Sequence, residues 1–389
     1  MEKLQARLVG AYEHPTRFAP DKSLVQLHTE VALGAVADAG LSLSDVDGYF
    51  CAGDAPGLGP LSVLDYFNIT PRYVDTTETG GSSYVAHVAH AARAIDAGLC
   101  DIALITLAGK PRSENKSASS VALALPADRP ERDFEVPYGP TVPANYALCA
   151  ARHMHEFGTT SEQLAWIKVA ASHHAQYNPH AMLQKAVTVE DVLSSPMVAS
   201  PLHRLDCCVI TDGGGALIVA RKEIARDLAK PGLRILGTGE AIKHQSAGDI
   251  DLTFSAGKWS GKQAFDMSGV THDQIQYASI YDSFTITVLM EIEDLGFCKP
   301  GHGGGFVAEG NLISGRGKLP FNTDGGGLCS NHPANRGGMT KVIEAVRQLR
   351  GEAHPAVQVP DCKIALVHGT GGSLGTRHGA ATLILACED

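Results

Sequence analysis

The stretch Asp212-Gly213-Gly214-Gly215-Ala216-Leu217-Ile218-Val219-Ala220 runs from a charged residue through three glycines into a short, small-apolar strand. Near the end of the chain, His378-Gly379-Ala380-Ala381-Thr382-Leu383-Ile384-Leu385-Ala386 has the same form. Two such endings predict that the second half of the chain repeats the architecture of the first. Upstream, Asp101-Ile102-Ala103-Leu104-Ile105-Thr106-Leu107-Ala108-Gly109 is a continuous apolar run, the kind of strand that is buried on both faces. Leu24, Leu27, Val31, Leu33 and Val36 have roughly helical spacing, with Gly40 where a C-cap falls. Val85, Val88, Ala89, Ala92 and Ile95 share one face over 82–97, followed by Gly98. Asp45 to Phe50 reads as a turn entering a strand, and Met339, Val342, Ile343, Val346 and Leu349 as one face of a helix over 338–350. Strands alternating with helices predict an α/β protein with a largely parallel sheet.

Residues 110–205 break this rhythm with prolines, Ser/Asn-rich loops and a long polar helix near 160–177. Thr159 and Glu162 have capping-box spacing for that helix. The stretch reads as an insertion covering one end of the sheet.

A chain of 389 residues is too long for one ordinary core, which fits two domains or a duplicated fold. A formal charge of −10 argues against a nucleic-acid partner, which needs a basic surface. No apolar run is long enough to span a membrane and no signal-like h-region is visible. The nine cysteines include no C-x-x-C pair and read as reduced, mostly buried thiols of a cytoplasmic protein.

Three polar points fall in the last third: Ala278 to Thr285, Asn331-His332-Pro333, and His368-Gly369-Thr370-Gly371-Gly372. Each sits among residues that read as the end of a buried strand, so one shared pocket is expected. A tyrosine or histidine at such a place is more often packed than catalytic, and only the convergence of three motifs raises the functional reading. His87 and His90, three apart on a helix, have no third ligand nearby, so no metal is expected. Gly303-Gly304-Gly305 lacks the Lys-Ser/Thr of a phosphate loop. His153 and His155 read as packing or capping residues.

The chain resembles the thiolase superfamily, in its sterol-carrier and lipid-transfer branch. The resemblance is carried by RHMHEFGTTSEQLAWIKVAASHHAQYNPHA (152–181), TDGGGALIVA (211–220), YDSFTITVLMEIEDLGFC (281–298), NTDGGGLCSNHPANRGGM (322–339), EAVRQLRGEA (344–353) and VHGTGGSLGTRHGAATLIL (367–385). It implies α-β-α-β-α layers made of two repeated half-domains. These are expected at 1–112 with 206–228 and at 229–389, with a loop domain at 113–205. It also implies a homodimer and CoA thioester substrates, with no cofactor beyond the coenzyme A of the substrate.

The same resemblance locates the chemistry. Thiolases use a cysteine at a buried helix N-terminus, where the dipole favours thiolate. The matching position here is Thr77. The second active position, in a His-Asp-Cys-Phe run, is Tyr281-Asp282-Ser283-Phe284 here. The alternative cysteine at the head of the last glycine loop is His368. His332 matches an oxyanion donor, and Gly371 and Gly372 match the loop whose N–H groups line the site. Tyr281, His332 and His368 are therefore the expected catalytic residues, and Thr77, Ser283, Gly371 and Gly372 the expected substrate contacts.

Three activities compete. The first is retro-aldol cleavage of a β-hydroxyacyl-CoA, with Tyr281 as base, lowered in pKa by His332 or His368 or relaying its proton to one of them. The second tyrosine of thiolase-like aldolases, near Asn-His-Pro, is missing here. The second activity is acyl transfer through another thiol, Cys329 or Cys298. The third is non-catalytic binding of CoA or lipid. In this branch a separate OB-fold, zinc-ribbon protein often completes the site, and this chain has no zinc-ribbon cysteines of its own.

Overall fold

The computed structural model describes residues 3–116, 135–139, 141–333 and 337–388. The first part of the chain gives β1 (Arg7–Glu13), α1 (Leu24–Ala39), β2 (Gly48–Phe50), α2 (Pro60–Phe67), β3 (Tyr73–Asp75), α3 (Ser83–Asp96) and β4 (Ile102–Gly109). The insertion contributes α4 (Val142–Phe157), α5 (Ser161–Ala175), α6 (Val189–Leu193), β5 (Met197–Ala199) and β6 (Leu202–His203). Then come β7 (Gly213–Ala220), α7 (Lys222–Asp227), β8 (Leu233–Lys243), α8 (Gly257–Ser268), β9 (Tyr277–Ile280) and α9 (Thr285–Asp294). The chain closes with α10 (Gly303–Val307), α11 (Gly326–Cys329), α12 (Gly338–Arg350), β10 (Ile364–Gly372) and β11 (His378–Ala386).

Nine strands form one sheet in the order β3-β2-β4-β7-β1-β8-β11-β10-β9. Read outward from the centre, the two sides match. On one side β1 pairs antiparallel with β7 and β7 with β4, and β4, β2 and β3 run parallel. On the other side β8 pairs antiparallel with β11 and β11 with β10, and β10 runs parallel to β9. A parallel bridge from Ala278 to Phe321 stands where β3 stands in the first half. The strands that end in Ala220 and Ala386 hold equivalent places, as their sequences predict. Within the sheet the two sides meet where Arg7 and Leu8 of β1 pair with Arg234 and Leu233 of β8.

The sheet is mixed, not largely parallel. Each repeat turns one long strand, β7 or β11, back against its neighbours. An apolar run reports burial on both faces and carries no information on strand direction. α3 and α12 touch each other and both sides of the sheet, α1 covers β1, β7 and β4, and α8 covers β8 and β11, which gives the α-β-α-β-α layering. The insertion packs through α4 and α5 on α9, α10 and α11. Its residues 117–134 and 140 lie outside the described residues.

Local signals hold with one shift. Ser23 and Gln26 form a capping box on α1, and Gly40 closes it at φ 73°. The box on α5 uses Thr160 and Gln163, one residue beyond the expected Thr159 and Glu162. Thr159 is already committed, its Oγ1 lying 2.8 Å from His153 Nδ1.

Both outer helices press on their sheets at glycine. A Cβ on Gly10 would lie 2.6 Å from the Ala35 carbonyl of α1, and one on Gly239 would lie 1.9 Å from the Ser260 carbonyl of α8. Gly239→Ala is therefore expected to lift α8 off β8 and to destabilise the fold by about 1–3 kcal/mol. A denaturant midpoint equal to that of the parent would contradict this packing.

Candidate active site

Tyr281 follows β9 directly, and its N–H donates to the His368 carbonyl at 2.9 Å. Its ring lies under the turn that starts α3, where a Cβ on Gly81 would come within 2.5 Å of it. The hydroxyl is 3.0 Å from His332 Nε2, and the two rings meet edge to face at 5.5 Å. Both side chains are buried, at 4% and 6% exposure. Burial lifts the Tyr281 hydroxyl well above the ordinary tyrosine range, with Tyr146 and Cys208 adding to the effect. The expectation of a lowered tyrosine pKa is thereby corrected: a group enclosed this fully resists ionisation.

His332 is held from behind. Its N–H donates to Thr211 Oγ1 at 2.9 Å, and that hydroxyl donates to Asn331 Oδ1 at 2.7 Å. Asn331 Nδ2 in turn donates to Glu13 Oε1 at 2.8 Å. The chain reaches His332 from α11, and Asp282 fixes that short helix. Asp282 Oδ1 accepts the Gly327 N–H at 2.8 Å, and its Oδ2 accepts the Leu328 N–H at 3.1 Å. Lys341 of α12 donates to the same Oδ1 at 2.9 Å, both side chains being 1% exposed. The residue next to Tyr281 thus ties down the segment that delivers His332.

The other expected residues lie differently. His368 is not beside Tyr281 through its side chain. Its Nε2 faces Glu291 Oε2 of α9 at 2.9 Å and its Nδ1 faces Thr382 Oγ1 at 2.9 Å, so only its backbone touches the site. The reason is strand alternation: β10 runs through Gly372, so Gly369 and Gly371 face α3 while residue 368 faces away. Gly371 packs on the Thr79 carbonyl, where a Cβ would stand 1.8 Å away, and Gly372 adopts φ 76°. Ser283 precedes α9, and its Oγ is 3.1 Å from Thr287 Oγ1 of that helix. Thr77 lies on the turn before α3, with both of its donors on Asp75 Oδ1, at 2.8 Å from N and 2.7 Å from Oγ1.

The surroundings of Cys329 and Cys298 do not favour their thiolates. Burial pushes Cys329 up from the ordinary thiol range and Cys298 up to about 12. A nucleophilic thiol needs the opposite shift. Sequence reasoning also passed over Lys341, Thr211 and the anchoring role of Asp282. Lys341 carries no warning in the pattern, because α12 is buried almost all round and its polar residues find partners inside.

Comparison with known proteins identifies the family. Residues 239–386 match the family model "Thiolase C-terminal domain-like". The chain is 32% identical to the acetyl-CoA acetyltransferase of Methanothermobacter thermautotrophicus, over 92% of this chain and 93% of that one. It is 35% identical to the steroid side-chain-cleaving aldolase of Thermomonospora curvata, over 85% and 86%. A solved structure described as "Ltp2-ChsH2(DUF35) aldolase" superposes with a TM-score of 0.89 at 32% identity, covering 100% of this chain and 99% of that one. The chain belongs to the thiolase superfamily. Among the described residues no helix is long and apolar enough to cross a membrane.

The Lys341–Asp282 pair gives a direct test of the anchor. Lys341→Met leaves a carboxylate buried without its counter-ion, and is expected to cost about 3–5 kcal/mol in stability. Urea denaturation measures this, and a loss under about 1 kcal/mol would show that the pair does not hold α11 in place.

Proposed function

We propose that this protein cleaves a carbon–carbon bond in a β-hydroxyacyl-CoA by a retro-aldol reaction, without an acyl-enzyme. The observation that carries the reading is the Tyr281–His332 hydrogen bond, in a site whose nucleophile position is Thr77. A retro-aldol step needs a base for the β-hydroxyl and donors for the enolate oxygen.

A free phenolate is not required. Tyr281 oxygen takes the substrate proton as its own proton passes to His332 Nε2, so the burial that raises its pKa does not block the relay. The Cα–Cβ bond breaks and the β-carbon becomes a carbonyl. The electron pair on Cα delocalises into the thioester as an enolate. Return of the imidazolium proton to Cα yields acyl-CoA and restores the pair. In this reading the backbone N–H groups of Gly371 and Gly372, at the end of β10, receive the enolate oxygen, and coenzyme A enters only as part of the substrate. The similarity to two proteins described as aldolases supports this reading over acyl transfer, although an acetyltransferase is comparably similar.

Tyr281→Phe is expected to bind the CoA ester but to lower cleavage by at least about 10²-fold, since only the relay oxygen is lost. His332→Ala removes the proton acceptor and is expected to lower it by about 10²–10³-fold. Steady-state release of the carbonyl product reads both. A Phe variant at near-parental rate would make the tyrosine a packing residue and remove the basis of the assignment.

The reading includes two partners. One is a separate small OB-fold, zinc-ribbon protein completing the acyl pocket, in keeping with the two-component description of the structural neighbour. The other is a second copy of this chain. β3 is an edge strand with Val74 41% exposed, and in the segment that precedes it in the chain Leu58, Leu61 and Tyr66 are 76%, 74% and 66% exposed. An open strand edge with apolar neighbours is a pairing surface. Light scattering is expected to give a dimer, and Tyr66→Asp with Leu61→Asp a monomer. A parent monomer at micromolar concentration would remove the homodimer from the reading.

A further inference from the structure

The turn at residues 75–80 is built around carboxylates. Asp75, at the end of β3, accepts both Thr77 donors on Oδ1, and its Oδ2 is 3.0 Å from His90 Nδ1 on α3. His90 Nε2 is 2.8 Å from Glu240 Oε2 on β8. The Thr77 carbonyl is 3.0 Å from His87 Nε2, so every hydrogen-bonding group of that residue is engaged. Next to it, Glu78 accepts the N–H groups of Gly53 at 2.6 Å and Gly80 at 2.8 Å.

This turn leads into α3 at Ser83, and its Gly80 and the following Gly81 pack on Gly371 and on the Tyr281 ring. Backbone N–H groups at such a place can lower a thiol pKa or hold an oxyanion. In the turn before α3, the N–H groups of 77 and 80 point at carboxylates of the protein itself. A carboxylate 2.7 Å from the residue-77 side chain also repels any second negative charge placed there.

We propose that Asp75 is the positioning residue that keeps this centre to non-covalent chemistry, by occupying both donors of residue 77 and placing a fixed negative charge beside it. His90 and Glu240 lock Asp75 in that role by tying β3, α3 and β8 together. The absence of a cysteine is then only half of the specialisation. A thiol introduced alone at position 77 would stand against an anion that already holds the N–H of the same residue.

The inference rests on the reading of the centre as a lyase for its meaning, but its readout is the acidity of a thiol and does not involve turnover. The test compares Thr77→Cys with the double variant Thr77→Cys/Asp75→Asn. Alkylation by iodoacetamide is followed across pH by mass analysis of the peptide carrying position 77. A free thiol has a pKa near 8.5, and one at a helix N-terminus falls to about 3.5–7.5. The single variant is expected to titrate at or above the free value and the double variant at least about ten-fold more acidic. Incubated with acetyl-CoA, only the double variant is expected to gain an acetyl group, as its thiolate attacks the thioester carbonyl and coenzyme A leaves as the thiol. Equal apparent pKa values in the two variants would overturn the proposal, whatever the acetylation result. Should Asp75→Asn fail to fold, the single variant still decides: a thiol titrating below about 7 would contradict the role given to Asp75.

Discussion

The structure depends on the buried ion pair between Asp282 and Lys341. Two fully enclosed charges are costly to bury, and the cost is offset only when the geometry is good and the remaining lone pairs are satisfied. Here they are: the carboxylate also accepts two backbone N–H groups from α11. The pair therefore joins β9, α11 and α12 at one point. Tyr281 precedes Asp282 in the chain, and α11 runs on to His332. The distance between phenol and imidazole is a consequence of that joint.

In the proposed reaction the same logic bears on a tyrosine with a raised pKa. A phenolate in this pocket would add a negative charge beside Asp282 in a region that excludes water. The proposed concerted relay to His332 avoids that charge. The positions of His332 and Thr211 favour such a relay, because the backbone of the histidine is held by a hydroxyl that is itself fixed by Asn331.

Much of the fold was legible because it is written twice. The strands ending at Ala220 and Ala386, the helix closed by Gly40 and the strand ending at Gly109 all follow from periodicity and glycine placement. Strand direction was not legible, since burial on both faces erases the alternation that distinguishes sheet types. Tyr281 and His332, singled out by their motifs, do meet, at 3.0 Å. His368 was misplaced because the glycine-rich run after it looks like a loop, whereas it continues the strand and turns the histidine toward Glu291. Lys341 and Asp75 were invisible as functional elements, because their meaning lies in partners 59 residues away for one and on α3 for the other.

The central claim is that carbon–carbon cleavage here proceeds without covalent catalysis. Product balance with a β-hydroxyacyl-CoA, in the absence of free coenzyme A, tests it most directly. The account predicts equal amounts of carbonyl compound and shortened acyl-CoA, at a rate independent of added coenzyme A. A requirement for free coenzyme A, accompanied by an acyl adduct on the protein during turnover, would contradict it.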